Sequence, residues 1–410
     1  MRNCTRIVIF CILFICLVSK AGQSCTTFCL DHGDQPMFGR NYDWMVEDGL
    51  VIINKRGVTK TARSRPQDKI LTWTSKYGSA TFNQYGREFP AGGMNEAGLV
   101  VESMLLEETE YPLPDSRPAI GISQWAQYQL DNFSTIEEVI AGDSQIRIRG
   151  SGGPGCHFLV CDRSGDCATI EFIGRKLVYH TKERMPVTTL TNSTYAKSIS
   201  YWKKDKLPQP DKYQSVERFI RAATMVKNYD PETTKTPIDY AFNILSNVAH
   251  ASFTQWSIVY DIADLSIYFR TLENQRVRYF SLKSCDFSCA TPVKVLDVNA
   301  DLSGDISAKF IDYTYQINRN LVRDAFSETY FLSHLPDHVL DMHSRYPEST
   351  FCNEPPCSKL QGIHYQTFPP LMGGDKGEGE QIFFHPHLSS PLKGEEPYGD
   401  PVASYRELSS

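Results

Sequence analysis

Short runs in which apolar and polar positions alternate, broken by clusters of Gly, Asp, Asn and Pro, fill most of the chain from residue 25 onward. CTTFCL and MFGRNYDW are two such runs, separated by the turn cluster DHGDQP, and VIINKRG continues the pattern. TWTSKYGSATF alternates in the same way, as does GLVVESMLL after AGGMNEAG, which reads as a turn. AIGISQWAQYQLDNF and TIEEVIAG predict helices, with Asp131, Asn132, Ser134 and Thr135 available to cap the second. HFLVCD and CATIEF, joined by the Gly-containing RSGD, predict a hairpin. VERFIRAATMVKNY places Phe219, Ala222, Ala223 and Val226 on one side of a helix, and TPIDYAFNILSNVA predicts another. QWSIVYDIADLSIYFRTL is a second hairpin with aromatic and β-branched strands. Strands toward both ends with helices between them predict an α+β fold rather than a parallel βαβ sheet. No internal repeat is visible.

The first residues follow a different pattern. Arg2 and Arg6 precede an unbroken apolar run from Ile7 to Val18, and Gly22 and Ser24 stand three and one positions before Cys25. This is the layout of a secretory leader over residues 1–24, cut before Cys25, and it predicts a secreted or extracytoplasmic protein. The run is too short and wrongly flanked for a spanning helix, although an uncleaved signal anchor is a rival. A lipid-modified cysteine is disfavoured, because Gly22 and Gln23 occupy positions where an aliphatic and a small residue are wanted. No later segment is long and apolar enough to span a bilayer. One folded domain is expected over 25–345. From about residue 346 Pro, Gly and charge rise, periodicity vanishes, and a flexible tail over 346–410 is expected.

Composition adds limits. With 42 Lys+Arg against 48 Asp+Glu, the formal charge of −6 gives no electrostatic reason to expect nucleic acid or an anionic membrane as partner. Of 12 cysteines, Cys4, Cys11 and Cys16 lie in the leader. The rest are an odd number, which in a secreted chain points to a free thiol or an intermolecular bond. If Cys25 is the free one, the others can pair: Cys161 with Cys167, Cys285 with Cys289, and Cys352 with Cys357 are the local pairs the spacing suggests. Zinc is the weaker reading, since these pairs lack the usual two-residue spacing and a His pair. No metal or cofactor is expected.

Cleavage before Cys25 would expose a thiol and an α-amine on one residue. An α-amine titrates near ~7.7–8.0, so it can serve as a base around neutral pH. Nucleophile and base then need no second side chain to meet. Arg40 and Asp43, in GRNYDW, add a guanidinium to favour thiolate and a carboxylate to hold the amine. The ordinary readings are a disulfide cysteine near a mature N-terminus and a surface ion pair.

CTTF at a mature start, then GRNYDW, LTWTSKYGSATF and GGMNEAGLVVE, together with LTNSTY and SVERFIRAA, resembles the linear amide C–N hydrolases. This is the choloylglycine hydrolase and penicillin V acylase family of N-terminal nucleophile hydrolases. The likeness runs from Cys25 to about Thr271. It implies a four-layer αββα sandwich with two largely antiparallel sheets between helical layers. It also implies roles: Cys25 as nucleophile with its own amine as base, Asp43 holding that amine, and Arg40 beside the thiol. Asn192 of LTN would donate to the oxyanion, and Arg218 would belong to the polar network behind the site. A small-molecule N-acyl amide is the implied substrate, and homo-oligomers, often tetramers, are common among similar proteins.

One position departs from the pattern. Some bile salt hydrolases carry an oxyanion-site Asn where this chain has Leu105, and penicillin acylase-like relatives have an aromatic residue there. A backbone N–H is therefore expected as second donor, with an aliphatic pocket wall at Leu105. Trp44 matches a Trp lining the acyl pocket of the penicillin acylase-like members, with a plain core aromatic as the equal alternative. Together they favour a flat apolar acyl group over a steroid. N-S-T at 192–194 is a formal glycosylation sequon. An oxyanion donor must stay bare, which makes Asn132 in NFS the expected acceptor. His157 reads as a core histidine, and the His385/His387 cluster as tail. The alternatives are a conjugated bile salt hydrolase, a ceramidase-like N-acyl lipid amidase, and an inactive secreted binding protein of the same fold.

Overall fold

The computed structural model describes residues 25–30, 35–150, 154–204, 214–234 and 236–353. The expected leader, and everything from residue 354, including Cys357, His385 and His387, lie outside the described residues.

In chain order the strands are β1 (Thr26–Leu30), β2 (Met37–Asp43), β3 (Leu50–Asn54), β4 (Val58–Thr61), β5 (Thr72–Thr74), β6 (Ser79–Asn83), β7 (Gly92–Asn95) and β8 (Val100–Leu105). They continue with β9 (Ala119–Gly121), β10 (Arg147–Arg149), β11 (Cys156–Cys161), β12 (Cys167–Ile173), β13 (Lys176–Thr181), β14 (Thr189–Thr191) and β15 (Thr254–Asp261). The last are β16 (Ser266–Thr271), β17 (Arg278–Ser281), β18 (Lys294–Asp297), β19 (Gly304–Asp305), β20 (Ile311–Asp312) and β21 (Phe351–Cys352). Helices are α1 (Ile122–Asn132), α2 (Ile136–Gly142), α3 (Tyr195–Lys203), α4 (Ser215–Lys227), α5 (Pro237–Val248), α6 (Tyr315–Glu328) and α7 (Asp337–Ser344).

A seven-stranded sheet runs β14-β1-β2-β15-β16-β17-β19, and a nine-stranded sheet runs β13-β12-β11-β8-β7-β6-β3-β18-β20. All their pairings are antiparallel except β17 with β19. Helices α4 and α5 pack on β14, β1, β2 and β15, and α1 packs on β7 and β8. One apolar core includes Phe38, Phe82, Trp256 and Phe269 from the two sheets with Phe219 and Leu245 from α4 and α5. Another joins Trp125 and Leu130 of α1 to Phe158 and Val160 of the nine-stranded sheet. This is the expected αββα sandwich. Strands β1, β2 and β15 are buried along their whole length, because each faces a helix layer on one side and the second sheet on the other.

The expected turn AGGMNEAG is for half its length a strand. Gly92–Asn95 forms β7 between β6 and β8, and the reversal is confined to Glu96–Gly98, where Gly98 has φ 91°. A Cβ on Gly93 would run into the backbone of Ala80, so glycine here serves close strand packing rather than a turn. Thr135 is the cap of α2, in a capping box with Glu138. Asn132 ends α1 instead of starting a helix.

The C-terminal part is more helical than the alternation pattern predicts. Thr314 caps α6, which buries Leu321, Val322, Ala325 and Phe326. Helices α6 and α7 lie against residues 85–87: Tyr85 shares a hydrogen bond with Thr329, its carbonyl oxygen contacts His343 Nε2 at 2.7 Å, and Arg87 N donates to Asn318 Oδ1. Structure continues through Asn353, since β21 pairs with β4. Cys161–Cys167 is a disulfide, as the spacing suggests. The pairs Cys285–Cys289 and Cys352–Cys357 give way to Cys289–Cys352, 63 residues apart in sequence, because β21 sets Cys352 opposite Val58 at the start of β4 and Cys289 Sγ lies against the adjacent Gly57 carbonyl. Cys156 and Cys285 are in no disulfide, so the even pairing of all cysteines other than Cys25 does not hold. No helix among the described residues is long and apolar enough to cross a membrane.

Candidate active site

The register of β1 on β2 sets Thr26 opposite Asn41 and Thr27 opposite Arg40, which puts Cys25 beside the end of β2. Its Sγ lies 3.8 Å from the carbonyl oxygen of Asp43, and the residue is 5% exposed. Asp43 is 1% exposed, and its carboxyl lies beside the Thr254 hydroxyl. Burial pushes this carboxyl up to about 7, against the pull of Arg218, the Thr254 hydroxyl and Arg40. A carboxyl buried this deeply is a seat for a cation.

Arg218 is fully buried on α4, whose apolar face carries it onto β1 and β14. Nη1 donates to the carbonyl oxygen of Cys25 at 2.6 Å and to Thr26 Oγ1 at 2.9 Å, and Nη2 donates to Asn192 Oδ1 at 3.1 Å. Asn192 follows β14 and donates its Nδ2 to the carbonyl oxygen of Leu105 at 2.9 Å. Its amide is held at both ends, with one N–H left to donate elsewhere. Leu105 therefore enters through its backbone as well as its half-buried side chain. Asn192 is itself only half-buried, short of the full burial expected for a sequon that stays bare.

Arg40 is also buried. Nη2 donates to Ser103 O at 2.8 Å, and the guanidinium lies 4.9 Å from the Tyr42 ring centroid. It forms an ion pair with Glu102, whose other oxygen accepts from the Tyr260 hydroxyl. For the Cys25 thiol, burial raises the pKa, Arg40 lowers it, and Asp43 adds to the rise.

Trp44 is 8% exposed and donates its indole N–H to the Tyr85 hydroxyl at 2.6 Å. Its carbonyl oxygen accepts from Gln255 Nε2. Trp44 is thus part of the core and also tied to a polar partner. Cys156 stands opposite Leu105 across β8 and β11, and burial followed by the charge on Cys25 pushes its thiol up to about 12.

The fold thus links Cys25, Asp43, Asn192, Arg218 and Leu105 by direct contact, with Arg40 and Trp44 adjoining. His157 is the expected core histidine, 3.1 Å from Glu171 Oε1. Sequence reasoning missed Glu102, Tyr260, Cys156 and Glu171. Glu171 Oε1 also accepts Tyr195 N at 3.0 Å, which pins the turn after Asn192. The available signal was a carboxylate inside an otherwise apolar strand, VVESML and CATIEF alike. A cleft of about 760 Å³ lies elsewhere and is acidic, lined by Glu47, Asp48, Glu273 and Asp301 among others.

Residues 25–207 and 198–295 match the family model for linear amide C–N hydrolases, choloylglycine hydrolase family. Penicillin V acylase from Pectobacterium atrosepticum is 29% identical over 323 residues, 66% of this chain and 84% of the relative. The structure of penicillin V acylase from Agrobacterium tumefaciens superposes with a TM-score of 0.61 at 27% identity, covering 71% of this chain and 98% of the other. A variant of conjugated bile acid hydrolase from Clostridium perfringens shares the fold, with a TM-score of 0.57 at 22% identity, covering 68% and 98%.

Proposed function

The chain belongs to the linear amide C–N hydrolases of the choloylglycine hydrolase family, and from that premise we propose that it is a secreted N-acyl amidase with Cys25 as nucleophile. It is a hydrolase of linear amide C–N bonds, penicillin V acylase-like in its relatives. The observation that carries the finer reading is Asp43, a buried carboxyl at the end of the strand beside Cys25. Removal of a leader before Cys25 would create an α-ammonium with Asp43 as its counter-charge.

In the neutral form that amine takes the proton of the thiol, and the thiolate attacks the amide carbonyl carbon. The developing oxyanion accepts the remaining N–H of Asn192 together with backbone donors. Arg218 holds Asn192 by its oxygen and Cys25 by its carbonyl, so nucleophile and donor keep one geometry. The α-ammonium then protonates the leaving amine. Water, activated by the same α-amine, hydrolyses the thioester. Trp44 and Leu105 offer a flat apolar acyl group an aromatic and an aliphatic wall.

The test is mass spectrometry of the first peptide of the mature protein, followed by turnover of an amide panel. A free Cys25 at position one, with aryl or alkyl amides cleaved and Cys25→Ala folded but inactive, is expected. A chain that begins upstream, or carries a blocked Cys25, overturns the mechanism. Bile-salt conjugates or N-acyl lipid amides as fastest substrates overturn the acyl preference.

A further inference from the structure

Away from Cys25, three ionisable side chains meet in a buried cluster that the amidase chemistry does not use. Lys60 of β4, Glu88 and Asp131 of α1 are each 2% exposed or less. Lys60 Nζ lies 2.9 Å from Asp131 Oδ2, 3.3 Å from Oδ1 and 2.6 Å from Glu88 Oε2. Trp73 Nε1 donates to Asp131 Oδ2 and Gln127 Nε2 to Oδ1, each at 2.8 Å. The Asp131 carbonyl oxygen accepts from Lys76 N and Tyr77 N, which fixes the end of α1. Glu88 holds a left-handed backbone, φ 74°, that a non-glycine residue adopts only when its surroundings impose it. Arg87 stands 3.4 Å from its far oxygen.

An amine, a carboxyl carbon and a second carboxylate are thus held in contact out of reach of bulk solvent. Taking charges out of water is costly, and a buried ion cluster repays that cost poorly. Fixing two reacting groups in a dry site gives them effective concentrations far above any in solution. We propose that Lys60 and Asp131 condense into an intramolecular amide bond, with Glu88 as the proton carrier.

The step balances without a co-reactant. Glu88 takes a proton from the Lys60 ammonium, and the freed amine attacks Asp131 Cγ. Trp73 and Gln127 donate to the two oxygens of the tetrahedral intermediate. Glu88 returns the proton to the departing oxygen and relays the next from nitrogen. The C–O bond breaks, one water leaves, and Glu88 ends as it began. Burial pushes the Asp131 carboxyl up, which favours the protonated form from which the oxygen departs, whereas Lys60 and Arg87 outweigh burial at Glu88 and hold its carboxyl down, so the proton transfer to Glu88 is the uphill step. The ammonium is held by both carboxylates, so reaction waits on the transfer to Glu88. The bond would tie β4 to the end of α1.

The experiment is peptide-level and intact mass spectrometry of the full protein after denaturation and reduction. The expected result is a mass one water below the composition of the chain with its measured N-terminus. The peptide holding Lys60 should be joined to that holding Asp131, with no tryptic cleavage at Lys60. Glu88→Gln, nearly isosteric, should reduce the joined fraction from near completion to a trace, and Asp131→Asn should form the same bond with loss of ammonia. Full mass and cleavage at Lys60 in the wild-type protein overturn the proposal whatever the variants do. Joining in Glu88→Gln as complete and as fast as in wild type overturns the role of Glu88.

Discussion

Arg40 and Glu102 form an ion pair in which both side chains are essentially inaccessible, 1% and 0% exposed. The guanidinium that pulls hardest on the Cys25 thiol therefore has a counter-charge from the second sheet, and that pull is only part of what an unpaired arginine would exert. Glu102→Gln should lower the thiol pKa by roughly one unit, the scale of a neighbouring charge. Thiolate then exists at lower pH, so iodoacetamide alkylation of Cys25 should move to lower pH by that amount. The same change leaves Arg40 without its partner and should cost up to about 3–5 kcal/mol in urea unfolding. An alkylation profile that stays in place would show that Glu102 does not control the charge at Cys25.

Arg218 is a fork rather than a point charge. Lysine keeps the charge but loses the simultaneous contacts to Cys25, Thr26 and Asn192. Arg218→Lys should lower kcat by about 10²-fold, with KM changed much less, as expected when a 1 Å misplacement disturbs the reacting groups. Equal loss in kcat and in stability would assign the residue to folding alone.

Removing a single oxyanion donor costs about 10²–10³ in kcat, and Asn192→Ala should fall in that range with a near-normal KM. Intact mass and glycosidase treatment provide the companion check. Asn192 unmodified is expected, because both ends of its amide are already engaged.

Asp43 predicts different pH behaviour before and after leader removal. In the chain with a peptide bond to Cys25, its pKa is about 7, raised from 3.8 by burial. A raised carboxyl contributes stability that is full below 3.8 and is lost as pH rises through about 7. Relative to Asp43→Asn, the uncleaved chain should therefore lose Tm between pH 4 and pH 8. In the mature chain an α-ammonium beside Asp43 pairs with the carboxylate, and that loss should vanish. Thermal melts of both forms across this range, each against its Asp43→Asn counterpart, would decide; the same loss in both forms excludes an ammonium partner.

The parts of the fold legible in sequence were those with local signals. The hairpins at Cys156–Ile173 and Thr254–Thr271, and the helices carrying Arg218 and Leu245, follow from periodicity and turn chemistry. Cys25, Arg40, Asp43, Asn192 and Arg218 were legible through family motifs, and the structure places them together. Glu102 and Glu171 were not, because a carboxylate in a strand gives no sign of which distant group it faces. Arg40 and Tyr195 become their partners only when β8 and β12 are laid under β1, β2 and α3. Cys289 with Cys352 escaped for the same reason: spacing favours near neighbours, and sheet pairing overrode it.

The family match ends at residue 295, yet Trp44 is not supported by the matched region alone. Its indole leans on the Tyr85 hydroxyl, and Tyr85 is gripped by Thr329 and His343 from the two C-terminal helices. Those helices fall within the loop closed by Cys289 and Cys352. Trp44 is thus braced from the matched region and, through Tyr85, from a segment beyond it that the Cys289–Cys352 disulfide closes. A change in those C-terminal helices can therefore shift the Trp44 ring without touching Cys25, Asp43, Asn192 or Arg218.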